Sequence, residues 1–373
     1  MKTKLLKYKK IIFFTTNRSD FDYQSDIILK LQKNFRCYLV CTGQHFSKKH
    51  GYSFQKIKET KIKNLIILKN FKNFHLAVKN IIKKKKPDFC CVFGDRQEML
   101  YIALAIHSFN LPILHFCGGE LTLGSKDDFY RHCITKLSDY HIVTTSEHKR
   151  RVIQMGEVPS NVFNVGSLTT EKIKNIRKQK KEIIEKKLNL SLNEKNYLVT
   201  LHPDKVNNFD NYKTFFNSLK NIKNANFYIT SNNQDYGGEE IYKITKKIIK
   251  NKNFFYLKNL GLKNYINLAF HMTAIIGNSS SGISEIPSIK IPTINVGQRQ
   301  KGRPQSKSIV NCDYNKLNIL SAIKIADSKK FIKSLTKVRN PFYKKGSLIK
   351  TYNIIKKLVK LKKKDKIFFN INY

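Results

Sequence analysis

Ala274-Ile275-Ile276-Gly277-Asn278-Ser279-Ser280-Ser281-Gly282-Ile283-Ser284-Glu285 is the stretch on which the fold turns. A short apolar run passes into a Gly/Ser-rich loop and then into a segment with helical spacing. Strand, tight loop and helix in that order open a parallel βαβ unit. Small residues let backbone N–H groups approach an anion closely, and a helix starting there turns its positive end toward it. The hydroxyls of Ser279 and Ser280 add donors for a phosphate. Glu285, placed in the first turns of that helix, offers a carboxylate to the two hydroxyls of a ribose. The loop lacks the lysine of a P-loop and the spacing of a dinucleotide fingerprint. Taken alone, it reads equally well as a serine-rich helix cap.

The same grammar repeats on both sides. Strand-like runs at 197–201, 225–230, 254–257 and 292–296 end at His202-Pro203, at Ser231-Asn232-Asn233 and, for the last one, at Gly297-Gln298-Arg299. The run at 292–296 reads as the strand that closes this sheet. Earlier, runs at 10–15, 36–42, 89–93, 113–116, 140–145 and 162–165 alternate with helical spacing at 23–33 and 99–109. Residues 170–195 read as one Lys/Glu-rich helix without a core stripe. The pattern predicts an α/β chain of two Rossmann-like domains facing across a cleft. Its parts are a first domain over 1–168, a connecting helix over 169–195, a second domain over 196–345, and a helical tail over 346–373 able to pack back on the first domain.

Polar residues gather where ligands bind an open parallel sheet, at the carboxyl ends of its strands. Asp95 and Arg96 follow the run at 89–93, and Glu120 follows Gly118-Gly119. Asp127, Asp128, Arg131 and His132 then fall within two helical turns. Each has a plainer reading: a surface ion pair for Asp95 and Arg96, a helix cap for Glu120, capping with an i+4 partner for the aspartates and Arg131. His202 alone is a structural histidine as readily as a working one. Asn233 and Asp235 sit beside Gly237-Gly238 as turn residues would. Their joint placement carries more weight than any one of them.

The formal net charge is +45, from 71 Lys and Arg against 26 Asp and Glu. Only ten of the basic residues are Arg, the type suited to reading bases and phosphates, and the lysines are spread along the chain. Together with abundant Asn, Ile and Tyr and no Trp, this is a compositional bias, and it predicts no nucleic-acid partner. Lys83-Lys84-Lys85-Lys86 and the lysines of 356–366 read as solvated helix faces. No apolar run is long enough to cross a bilayer, and the apolar stretch after the basic start is too short for a signal-peptide core, so no membrane role and a cytoplasmic location are expected. Seven cysteines without C-x-x-C spacing read as reduced thiols, neither disulfides nor zinc ligands.

In order and spacing these motifs resemble the hydrolysing UDP-N-acetylglucosamine 2-epimerases that feed bacterial sialic-acid and legionaminic-acid synthesis. The matching stretches include Asn17-Arg18-Ser19-Asp20-Phe21, Gly43-Gln44-His45, Gly94-Asp95-Arg96-Gln97-Glu98-Met99, His115 to Glu120, Asp127-Asp128 and Arg131-His132-Cys133-Ile134-Thr135-Lys136. Others are His202-Pro203, Gly277 to Glu285 and Arg299-Gln300-Lys301-Gly302-Arg303. The resemblance implies the glycosyltransferase-B architecture, a homodimer or homotetramer, and neither metal nor other cofactor. It assigns UDP to the second domain, with Ser279 and Ser280 on the diphosphate, Glu285 on the ribose, and Asn233, His202 and Arg299 nearby. Arg18 reaches the diphosphate from the first domain. Asp95, Glu120 and Asp127 become the acid–base carboxylates, with Arg96, Arg131 and His132 positioning them or the sugar. Two departures stand out: Asp22 and Tyr23 follow the Arg-x-Asp-aromatic start, and Cys117 replaces a carboxylate that some relatives carry.

The implied reaction takes UDP-N-acetylglucosamine and water to UDP and N-acetylmannosamine through a glycal. UDP-2,4-diacetamido-2,4,6-trideoxyglucose is the alternative substrate. Three rivals remain: a non-hydrolysing epimerase, a plain glycosyltransferase, and a non-catalytic sugar-nucleotide-binding protein. Gly118-Gly119-Glu120 and the run from Asp127 to Lys136 favour the hydrolysing branch, the full set of carboxylates speaks against a dead binder, and nothing marks an acceptor site.

Overall fold

The computed structural model describes residues 9–47, 52–69, 73–124, 127–204, 208–232, 237–258 and 260–371. The chain divides into two compact units. One comprises Met1–Glu120, Asp127–Glu171 and Lys344–Tyr373, the other Leu121–Lys126 and Lys172–Tyr343.

The first unit holds a seven-stranded, all-parallel sheet of strands β1 (Lys10–Thr15), β2 (Arg36–Cys41), β3 (Leu65–Ile67), β4 (Phe89–Phe93), β5 (Ile113–Phe116), β6 (Tyr140–Val143) and β7 (Val162–Asn164). Their order is β3-β2-β1-β4-β5-β6-β7. Every residue of β4 is buried, as expected of a strand covered on both faces, where apolar residues run on without alternation. The strand order reverses between β1 and β4, so the crevice at their carboxyl ends is lined by residues 16–20 and 94–96.

Helix Arg18–Leu31 starts five residues earlier than its apolar spacing predicts, because the Oδ1 of Asn17 caps it by accepting from the N–H of Asp20. The last helix, Ser347–Leu358, belongs to this unit. Glu171 accepts from the N–H groups of Gly346 and Leu348 at its start, and Tyr352 accepts from Asn34 at 2.7 Å.

The second unit holds a six-stranded, all-parallel sheet of β8 (Lys195–Thr200), β9 (Ala225–Thr230), β10 (Phe254–Leu257), β11 (Ala274–Gly277), β12 (Thr293–Val296) and β13 (Ile309–Cys312), in the order β10-β9-β8-β11-β12-β13. Its reversal lies between β8 and β11, which puts residues 201–204 beside the 277–285 stretch. The fold class read from the sequence, two Rossmann-like α/β halves, is the one observed.

Three local expectations are corrected. The stretch 169–195 is two helices, Leu168–Lys174 and Lys181–Leu188, and it does contribute to a core: Ile173, Ile184 and Leu192 are buried together with Leu198 and Tyr228. The second sheet does not close at 296, because β13 pairs with β12 beyond it. Helix Ser280–Ser284 is a single turn, with Pro287 two residues past its C-cap, so Glu285 is that C-cap and not a first-turn residue.

All seven cysteines are free thiols, and Cys37, Cys41, Cys90 and Cys91 are buried. Among the described residues no helix is long and apolar enough to cross a membrane.

Candidate active site

In the first unit the site is organised by Arg131, whose side chain is 1% exposed. It lies on helix Asp127–Leu137 and pairs with Asp95, just beyond the end of β4, and with Asp128 one turn back on its own helix. Its Nη1 also donates to the carbonyl of Glu120 at 2.8 Å. Burial alone would lower the guanidinium's affinity for its proton. The charges of Asp95, Glu120 and Asp128 outweigh it and raise the pKa above the ordinary arginine value.

The residues around this cation are fixed by backbone devices. Gly119 has φ +75°, and a Cβ there would lie 2.4 Å from the carbonyl oxygen of His148, so the turn before the buried Glu120 requires glycine. Cys117 holds φ +63°, a left-handed conformation uncommon for a residue with a side chain. His115 is buried, with Nε2 at 2.8 Å from the carbonyl of Gly94 and Nδ1 at 3.1 Å from the hydroxyl of Thr135. Burial lowers its pKa to about 3, so it is a neutral strut between β4, β5 and helix Asp127–Leu137.

Asp127 opens that helix, and His132 follows Arg131 on it. Burial first, then the Arg131 charge, lowers the His132 pKa, and its buried Nδ1 has no hydrogen-bond partner among the described residues. Arg96 is the N-cap residue of helix Gln97–His107 and reaches Glu98 at 3.7 Å. Arg18 is exposed in the first turn of its helix, where it and Asp22 both act electrostatically on Lys56. Asp95, Glu120, Asp128 and Arg131 are thus brought into one cluster, with Asp127 and His132 on the same helix, while Arg18 lies on a separate element.

Asp20, part of the Asn17–Phe21 motif, is a buried carboxyl of this crevice. It is 4% exposed, and its Oδ2 accepts from the N–H of Thr16 at 3.0 Å and from the Thr16 hydroxyl at 2.6 Å. Burial raises its pKa to about 6, with Thr16 and Arg96 opposing and Asp95 reinforcing. The readable signal was a Thr-Asn-x-x-Asp start in which the third helical residue reaches back over its own cap.

In the second unit the organising residue is Asn278, fully buried at the end of β11. Its Oδ1 accepts from the N–H of His202 at 2.7 Å, and its Nδ2 donates to the carbonyl of His202 at 2.8 Å. Its own carbonyl accepts from Gln300 at 2.8 Å and from Arg299 at 3.3 Å. Arg299 also donates to the carbonyl of Pro203 at 3.2 Å. His202, Asn278 and Arg299 are therefore stapled together at the carboxyl ends of β8, β11 and β12.

Behind them Tyr314 donates to Asp204 at 3.0 Å and Tyr212 to the other oxygen of that carboxylate at 3.2 Å. Burial, and then Asp204, raises the pKa of both phenols, that of Tyr212 to about 12. Ser279 is the N-cap of the one-turn helix, its hydroxyl accepting from the N–H of Ser281, and Ser280 is its first residue. Glu285 accepts from the hydroxyl of Ser281 at 2.6 Å. Asn233 lies outside the described residues. Asn278 and Asp204 were missed as organisers because nothing local marks an Asn or Asp that bonds a residue on another element or loop.

A family model described as UDP-N-acetylglucosamine 2-epimerase matches residues 28–356. The chain belongs to the UDP-N-acetylglucosamine 2-epimerase family. An Escherichia coli polysialic acid biosynthesis protein P7 is 32% identical over 97% of this chain and 98% of its own. A Campylobacter jejuni GDP/UDP-N,N'-diacetylbacillosamine 2-epimerase (hydrolyzing) is 36% identical over 87% and 88%. Among solved structures, a Neisseria meningitidis UDP-GlcNAc 2-epimerase bound to UDP-GlcNAc superposes with a TM-score of 0.78 at 16% identity, covering 93% of this chain and all of that one. An S. aureus MnaA–UDP complex gives 0.79 at 17% identity, covering 97% of this chain and all of that one. At such identities the structures establish the fold. This member of the 2-epimerase family is an enzyme acting on UDP-sugars.

Proposed function

We propose that the protein is a hydrolysing 2-epimerase that converts UDP-N-acetylglucosamine and water into N-acetylmannosamine and UDP. The hydrogen on C2 of the sugar is a poor acid, so its removal is coupled to departure of UDP from C1. A carboxylate takes the C2 proton, the C–H electron pair forms the C1=C2 double bond, and the C1–O bond breaks with its electrons going to UDP. Water then adds across the glycal: its oxygen bonds C1 while one of its O–H bonds breaks and gives that proton to a carboxylate, and an acid delivers a proton to the opposite face of C2.

Asp95, Glu120 and Asp127 are the carboxylates proposed for these transfers. Arg131, His132 and Arg96 position them or the sugar. Ser279, Ser280, His202, Arg299, Asn233 and Arg18 serve the UDP moiety and Glu285 its ribose. The observation that supports this reading most is the buried Arg131, holding Asp95 and Asp128 at the carboxyl edge of the first sheet in a chain of this family. A solvated ion pair on a surface would need no such burial.

A second reading, the same reaction on UDP-2,4-diacetamido-2,4,6-trideoxyglucose, is favoured by the name of the 36% identical Campylobacter protein. Incubating the purified protein with each nucleotide sugar, with UDP release and proton NMR of the free sugar as readouts, separates them. Free N-acetylmannosamine and UDP from the first substrate are expected. Release only from the second establishes the alternative, and recovery of intact epimerised nucleotide sugar defeats the hydrolytic reading.

A further inference from the structure

Helix Asp127–Leu137 carries Asp127, Arg131 and His132 toward its amino end, and its carboxyl end is held by a segment more than 200 residues further along the chain. After the last helix, residues 363–369 run over this end as a strap. The Lys366 ammonium lies 2.7 Å from the carbonyl of Lys136, 2.6 Å from that of Ser138 and 3.4 Å from that of Thr135. These carbonyls lie at and just past the end of the helix, where its dipole is negative, and that of Thr135 also accepts from the N–H of Ser138 at 3.1 Å.

The fourth contact of the same ammonium is Glu157, at 2.9 Å. Glu157 is 3% exposed in its side chain and also takes Lys136 at 2.8 Å and His141 at 3.0 Å. The strap is pinned on both sides of this point. Lys363 reaches the carbonyl of Leu111 at 3.3 Å, and Phe369 donates its N–H to the carbonyl of Gly156 at 2.9 Å. A Cβ on Gly156 would lie 2.3 Å from the ring of Phe368, so this glycine leaves room for the strap.

We propose that the strap is a positioning device for the reaction: Lys366, through its cap on helix Asp127–Leu137, fixes the axial register of Arg131 and Asp127 against Asp95. The link runs through short steps. Thr135, whose carbonyl Lys366 caps, donates its hydroxyl to the carbonyl of Arg131 at 3.0 Å and meets His115 at 3.1 Å. A displacement of about an ångström at a reacting group is enough to cost ~100-fold in rate. The proposal rests on the reading that this helix carries acid–base and positioning groups.

Lys366→Met keeps the alkyl stem and removes the ammonium, and Lys366→Arg returns donors to the same oxygens. For Lys366→Met, amide exchange at residues 134–138 is expected to speed up by at least ~10-fold, as local opening of a helix end does. Its kcat for UDP release is expected to fall by roughly 10-fold with KM within about 2-fold, a loss confined to the chemical step. Lys366→Arg is expected to recover most of both. Unchanged exchange in Lys366→Met overturns the cap. Faster exchange with unchanged kcat overturns the positioning role and leaves a structural one. A wild-type chain that releases no UDP defeats the functional reading instead, while the exchange comparison still decides whether Lys366 holds the helix.

Discussion

At the residue scale, two buried charges set the behaviour of the first unit. Arg131 is compensated by Asp95 and Asp128, so removing it strands carboxylates in a poorly solvated place. Arg131→Met is expected to cost about 3–5 kcal/mol in urea unfolding, the usual scale for breaking a buried pair from one side. Adding Asp95→Asn to that variant should return part of the loss, and strictly additive costs would show that the two do not act as a pair. Asp20 works in the opposite sense. Its pKa rises from 3.8 to about 6 on folding, so the folded chain binds that proton more tightly. The stabilisation is complete below the unfolded pKa and disappears as pH rises from about 4 through about 6, amounting to roughly 3 kcal/mol. Asp20→Asn should flatten this part of the stability–pH curve and gain over wild type at pH 7. A wild-type curve that is flat between pH 4 and 7 and matches the variant would refute the assignment.

At the element scale, the glycine that ends β11 is the sharpest constraint. Gly277 has φ +135°, and a Cβ on it would stand 1.9 Å from the carbonyl oxygen of Thr200 on the neighbouring strand. Gly277→Ala is therefore expected to cost more than about 3 kcal/mol, beyond the usual range for a single substitution. Gly346→Ala, where the nearest atom is 3.4 Å away, should show only the ~1 kcal/mol of a left-handed alanine. Equal denaturation midpoints for the two variants would rule out the clash.

The same elements show what could be read in advance. β4 and β11 were legible because a continuous apolar run ending in glycine has few other interpretations. β3 and β13 are short, half-buried edge strands, and Leu65-Ile66-Ile67 looks like any apolar patch among lysines. The break between helices Leu168–Lys174 and Lys181–Leu188 puts Ile173 and Ile184 out of phase, which hid their shared core. At the site, Asp95 and Glu120 were legible as residues shortly after strands β4 and β5, and Asp127 and Asp128 as the acidic start of a helix. That Arg131 is buried was not legible, since its partner Asp95 lies 36 residues away and the helix around it reads as amphipathic.

At the scale of the whole molecule, the +45 charge has a kinetic consequence that requires no basic binding patch. A UDP-sugar is an anion, and a strongly positive protein draws it in from beyond contact distance, which speeds encounter without altering the bond-breaking step. Salt shortens the reach of that field from about 30 Å at 0.01 M to about 8 Å at 0.15 M ionic strength. Raising ionic strength across this range should lower kcat/KM several-fold while kcat stays level, because only the encounter depends on the long-range field. The local pairs around Arg131 are buried and are screened far less. A parallel fall in kcat would mean that salt reaches the ion pairs of the site itself. A flat kcat/KM would mean that the lysines are spread too evenly to steer the substrate, leaving the charge a matter of composition alone.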